Sequence, residues 1–182
     1  MEIPICISAV NRIINRTNAQ NSWRTSMDMP RIELTGKRVQ LLLYLCQLIW
    51  YIDHEECNMI PENFQAWPHG VTIPEIYNYF SVYQEGDLCP LPNTIYELSE
   101  EEVSVINKVV DNTTDISTDE IIDYIKLPNG PWAQNYQECQ NFYNVISKDI
   151  IKIYIRTSEH QSELLDFIQK NTILKGTTLT RK

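Results

Sequence analysis

The chain has 182 residues and a mass of 21.3 kDa, which suits one domain with a sizeable core, or one domain with a small appendage, and excludes two full domains. Its 24 acidic residues against 15 basic ones give a formal net charge of -9, which argues against a large phosphate-binding surface, since nucleic-acid affinity comes mostly from Lys and Arg. The five cysteines (Cys6, Cys46, Cys57, Cys89, Cys139) are odd in number and form no CxxC pair, as free thiols of a reducing cytoplasm do, and MEIPICISAVNRII lacks the basic start and long apolar run of a signal peptide, so a cytoplasmic protein is expected.

Val10, Ile13 and Ile14 form a short helical stripe, which predicts a first helix over about Ser8 to Asn18. Residues 19–34 show no clear period and are expected to be a connecting loop, with Trp23 and Met29-Pro30 as its anchors. The stretch that follows, TGKRVQLLLYLCQLIWYIDH, is the centre of the chain. Thr35 is a helix cap, and Val39, Leu42, Leu43, Cys46, Ile49 and Trp50 recur at i, i+3, i+4, i+7. Leu41, Leu45, Leu48, Tyr51 and Ile52 fill much of the remaining circumference, so other elements must wrap around this helix. Gln40, Gln47 and Asp53 break its apolar run short of the roughly 20 residues a bilayer requires.

CNMIPENFQAW reads as two extended pieces with Pro61-Glu62 between them, the best candidate for a small hairpin, with Phe64 and Ala66 on one face and Gln65 and Trp67 on the other. At WPHG the chain turns sharply, Gly70 being free to take a positive φ. Thr72 and Pro74 start a helix whose apolar side is Ile73, Ile76, Tyr77 and Phe80. A loop with Gly86, Pro90 and Pro92 leads to two capping boxes, Ser99 with Glu102 and Ser117 with Glu120, each opening a helix; the short link between them predicts an antiparallel pair. Pro128, Gly130 and Pro131 break the chain before a polar, aromatic stretch from Trp132 to Tyr143. Ser147 caps a further helix and Ser158 with Gln161 a last one, ending near Lys175-Gly176, with a loose tail after it. The expected architecture is mainly α: a compact multi-helix domain around a buried central helix, with a small β-hairpin. Residues 1–157 form its body and 158–182 a C-terminal helix and tail packed on the same domain.

No phosphate loop is present among the five glycines, and no cofactor is expected. His54, Cys57 and His69 include a workable ligand pair, but zinc needs three or four ligands in closed geometry, so a helix-end histidine and a free thiol are the preferred reading. Cys46 and Cys57 lack a nucleophile elbow or oxyanion loop, which disfavours Cys–His catalysis. The acidic run Glu100 to Glu102 is explained by the positive end of a helix dipole. Trp67 and Trp132, beside proline or glycine, are either core anchors that fix turns or exposed hot spots for a partner, with the first preferred.

Taken in order, LLLYLCQLIWYI, FQAWPHGVTIPEIYNYF, LSEEEVSVINKVVD, STDEIIDYI, GPWAQ and ISKDIIKIYI resemble the Panacea domain of SocA-like antitoxins, over roughly residues 5–157. The chain departs from that family's pattern at Gly70-Val71-Thr72, where G-P-V is usual, and at Tyr124-Ile125-Lys126, where a histidine is common. The resemblance implies a non-enzymatic protein that neutralises a partner protein, a toxin, by direct contact, including as an adaptor that delivers it to a protease. For phage-borne relatives it implies an anti-defence protein acting on a host immune effector such as a CRISPR nuclease. Partner-binding candidates are Trp67, His69, Tyr77, Tyr79, Trp132, Tyr136, Phe142 and Tyr143, because aromatic residues are favoured at interface hot spots. The acidic composition favours a basic partner and faster encounter with it, with no nucleic acid or membrane bound directly.

Overall fold

The computed structural model describes residues 6–81, 88–92, 96–136 and 144–176, of which 170–176 are described as helix backbone only. Phe142, Tyr143, Gly86, Cys139 and the expected tail lie outside the described residues. In chain order the elements are α1 (Ile7–Ser26), α2 (Gly36–Asp53), β1 (Phe64–Trp67), β2 (Gly70–Thr72), α3 (Pro74–Ser81), α4 (Glu100–Asn112), α5 (Thr118–Ile125), α6 (Pro131–Asn135), β3 (Asn144–Ile146), α7 (Lys148–Ile155) and α8 (Ser158–Gly176). The fold is mainly α with a small antiparallel sheet in the order β2-β1-β3.

The central helix is α2. Thr35 caps it by accepting from the Arg38 N–H at 3.2 Å, and every side chain from Arg38 to Tyr51 is buried, while Ile52 near its end is only half-buried. Such all-round burial requires neighbours on all sides, and α1, α3, α4, α5, α7 and β2 supply them. The glutamines that interrupt the apolar run are buried too, where an unpaired amide would cost about 1–3 kcal/mol. Both act as staples to backbone. Gln40 Oε1 accepts from the Ile73 N–H at 2.5 Å, and Gln47 Oε1 from the Ile60 N–H at 2.7 Å. Arg38 is likewise interior; its guanidinium donates to Thr113 O at 2.7 Å and to Thr118 Oγ1 at 3.3 Å, tying the α4–α5 link to the core. No helix among the described residues is long and apolar enough to cross a membrane.

Helix α1 runs well past its expected end at Asn18, through half of the stretch read as a loop. One face is held along its length by polar contacts, which an apolar stripe does not record. Arg12 donates to Asn107 Oδ1, Arg16 pairs with both Asp111 oxygens at 2.7 and 2.8 Å, Gln20 donates to Asp111 and Arg24 pairs with Asp115 at 2.9 Å. Spaced four apart, these side chains share one face, so they form a ladder running along α4 and just beyond it. Two asparagines on α1 each make a two-way bond to loop backbone: Asn11 with Leu91 and Asn21 with Ile32, at 2.6–3.0 Å. Asp28, at φ 54°, then closes the helix as a C-terminal cap, with the Met29 N–H bonded to Arg24 O. Trp23, expected to anchor this region, is 57% exposed.

Other expectations are corrected by packing. The hairpin turns at Pro68-His69 rather than Pro61-Glu62, pairing Trp67 with Gly70, and the residues around Pro61 form no strand. A third strand, β3, pairs with β1 from the other side, Phe64 opposite Ile146, between the polar, aromatic stretch and the helix capped by Ser147, where no strand was expected. The alternation on β1 does hold, with Phe64 and Ala66 buried and Gln65 and Trp67 half-buried. Helices α4 and α5 do not form the expected packed pair. Each turns its apolar face to α2 instead, α4 also meeting α1 and α8, and α5 also meeting β2. Helix α8 packs on α4 and α7 through the buried Leu164 and Ile168, and its cap is Thr157, one residue ahead of the expected Ser158.

Both capping boxes form as read: Ser99 Oγ accepts from the Glu102 N–H while the Glu102 carboxylate accepts from the Ser99 N–H, and Ser117 with Glu120 repeats the exchange. Ser99→Ala is expected to lower stability by about 1 kcal/mol, read as a lower urea midpoint at unchanged slope.

The core also dictates an alkaline limit. Burial pushes the thiols of Cys6 and Cys46 and the Tyr44 hydroxyl upward, so in the folded state they stay neutral after the unfolded chain has ionised. A raised acid of this kind contributes stability below its unfolded pKa and loses it as pH climbs beyond, here from about 9 for the thiols. Lys148, which burial lowers to about 8 despite the nearby Glu62, works the other way: its burial penalty is relieved above that pH. Burial also raises the hydroxyls of Tyr51, Tyr124 and Tyr154, so the raised groups outweigh Lys148. Thermal midpoints are expected to fall between pH 9 and 11, and Cys46→Ala to flatten the fall; an unaltered slope in that variant would contradict the assignment.

Candidate functional site

The candidate residues converge on the turn between β1 and β2. Pro68 and His69 are exposed at its tip, and Gly70 follows with φ +122°, a value that L side chains rarely adopt. A Cβ on Gly70 would also lie 2.9 Å from Leu41 Cδ2, so this turn sits directly on the central helix. Two anchors from distant sequence fix it. The indole N–H of Trp132 donates to Trp67 O and Gly70 O, both at 2.9 Å, and Lys126 Nζ donates to Pro68 O at 2.5 Å while lying 4.7 Å above the Trp132 ring. Gly130 and Pro131 place Trp132 in the first turn of α6, where proline needs no N–H partner.

Around that frame the aromatic rings form two groups. Trp67 meets Tyr77 of α3 at 5.0 Å and His69 edge-on at 5.9 Å, and Trp132 stacks on Tyr136 at 4.4 Å. Of the eight candidates the fold therefore brings together Trp67, His69, Tyr77, Trp132 and Tyr136. Tyr79, two residues from Tyr77 and so on the opposite side of α3, is half-buried against the core. Trp132 has its indole N–H committed to the turn. Tyr77 (43% exposed) and His69 face solvent.

Beside the turn lies a cavity of about 540 Å³ that the sequence did not announce. Its walls come from the start of α2 (Gly36, Lys37, Gln40), β2 (Val71, Thr72), α3 (Tyr77, Phe80) and the turn (His69). Gly36 is required there, since a Cβ would lie 2.7 Å from Phe80. Burial, with Lys37 and Lys126 nearby, lowers the pKa of His69 and favours its neutral form.

The other chemistry weighed from the sequence is dispersed. His54 stacks on Trp50 at 4.0 Å and its Nε2 lies 3.3 Å from the Glu101 carboxylate, while His69 belongs to the turn. No three His, Cys, Asp or Glu side chains cluster as a metal would need, among the described residues. Cys46 is buried inside α2, with its thiol pKa raised, the opposite of an activated nucleophile.

No curated protein and no solved structure matches the chain. A family model described as Antitoxin SocA-like, Panacea domain, matches residues 39–133, a narrower stretch than the resemblance covered, from the first turn of α2 through the Trp132 anchor. The match holds the central helix, the hairpin, α3 to α5 and the Gly-Pro-Trp junction, which together build the turn described above. Spanning more than half of the 182 residues, it shows that the chain belongs to the SocA-like antitoxin family, the Panacea domain.

Proposed function

We propose that this protein acts without catalysis, by forming a stable complex with a partner protein, a toxin, and holding it inactive. The observation that supports this reading most is the aromatic group on the W-P-H-G turn, inside the family-matched region, where Trp132 and Lys126 hold the turn backbone and Trp67 packs against His69 and Tyr77. Rings fixed in place bury area on binding with little further loss of entropy, which is what interface hot spots require. The acidic composition supports a basic partner, through faster encounter more than tighter final contact. Delivery of the bound toxin to a protease is compatible with the same surface, since an adaptor must first hold its cargo.

The test uses tagged full-length protein as bait in its native host, followed by purification of the complex and an assay of the captured protein's own activity. Inhibition in a complex of fixed stoichiometry is the expected result. Tyr77→Ala should leave the urea midpoint within about 0.5 kcal/mol of wild type, because the side chain is exposed. It should weaken binding by about 2 kcal/mol, roughly 30-fold. Unchanged affinity in that variant would place the interface elsewhere.

A further inference from the structure

The cavity beside the turn combines an apolar floor with donors that bind none of the described residues. At about 540 Å³ it falls in the range of ligand-sized pockets. Leu34, Val71 and Phe80 line it with apolar surface. Gln40 also lines it, only 3% exposed, and because its Oε1 is held by the Ile73 N–H, its amide N–H₂ is left facing the space, with no acceptor among the described residues. Lys37 stands at the mouth and makes no ion pair with a described carboxylate. Lys126 Nζ, bonded to Pro68 O, is a second cation at the neighbouring turn. Among the described lining residues no carboxylate offsets Lys37. The first amides of α2, at Gly36 and Lys37, add donors at the positive end of an 18-residue helix, since the Thr35 side chain satisfies only that of Arg38.

We propose that this cavity seats the C-terminal residue of the partner protein, with its carboxylate on the Gln40 amide and Lys37 ammonium and its apolar side chain on Leu34, Val71 and Phe80. An Asp or Glu side chain would meet the donors but leave the apolar floor empty. A terminal apolar residue carries both features on one Cα. The assignment rests on the protein-binding reading above and adds to it the chemistry of the segment that is held.

The test titrates full-length protein with heptapeptides ending in Val, Leu, Ile or Phe, each made as the free acid and as the C-terminal amide, and follows binding by calorimetry and by ¹H–¹⁵N NMR. The expected result is that at least one free acid binds, shifts the Gln40 side-chain amide and the Lys37 and His69 signals, and binds roughly tenfold or more tightly than its amide, since a charge-assisted contact is lost in the amide. Lys37→Glu, at an exposed position, should abolish that preference with the circular dichroism unchanged. Equal affinity of acid and amide, or no binding by any peptide, overturns the proposal. So does hexanoate binding as tightly as the best peptide, which would assign the site to a free small carboxylate. If the peptides fail while the captured partner still binds wild type and loses affinity for Tyr77→Ala, the cavity assignment falls and the protein-binding reading stands.

Discussion

Leu45→Asp is expected to abolish the cooperative urea transition. Leu45 is fully buried at the middle of α2, a helix enclosed by five other helices and a strand, so the new carboxylate would sit inside the hydrophobic core. Burying an unpaired charge costs at least about 4 kcal/mol, a large part of the 5–15 kcal/mol that holds a domain of this kind together. Leu45→Met at the same place conserves volume and polarity and should cost less than about 1.5 kcal/mol. That contrast separates loss of the buried site from general intolerance of substitution. A Leu45→Asp protein with an unchanged midpoint would mean that α2 is not the core.

Gly70→Val should be the most damaging change at the site itself, lowering stability by about 3 kcal/mol. Two effects add: a β-branched residue forced to φ +122°, and a Cβ driven to 2.9 Å from Leu41 Cδ2 on a helix that cannot retreat. The damage should also reach the surface. Gly70 O is one of the two acceptors that hold the Trp132 indole, so a displaced turn frees Trp132 and, with it, the stack on Tyr136. The checks are a lowered urea midpoint together with a changed tryptophan fluorescence maximum in the folded baseline. Gly70→Ala, without the branched carbon, should show the same signs at a smaller cost.

Where the chain's own chemistry acts within a few residues, the sequence was legible. Thr35, Ser99, Ser117 and Ser147 cap the helices they were read to cap, because a cap needs only a hydroxyl and an N–H three residues on. The central helix was legible because its apolar residues outnumber any alternative pattern. What escaped is tertiary. The end of α1 reads as a polar loop, yet Gln20, Asn21 and Arg24 are the residues that hold it, and their partners Asp111, Ile32 and Asp115 lie outside the helix. Gln40 and Gln47 read as interruptions of a core helix, whereas each satisfies a backbone N–H of a neighbouring segment. The two site motifs, W-P-H-G and G-P-W, were each visible, but the bond joining them links residues more than 60 apart, so nothing local tells that Trp132 is an anchor and Tyr77 a free face. The cavity has no sequence signature at all, being the gap left between α2, β2 and α3.

Growth on co-expression tests the central claim most directly. The protein captured with the wild-type chain is expressed from an inducible promoter in the host, alone, with wild type, and with a Tyr77→Ala, His69→Ala variant whose urea midpoint matches wild type. The account predicts that the captured protein alone arrests growth, that wild type restores it, and that the folded double variant does not. Equal rescue by the variant would contradict the assignment of the W-P-H-G surface, and a purified chain that rescues by turning over a small molecule, without forming a complex, would contradict binding as its function.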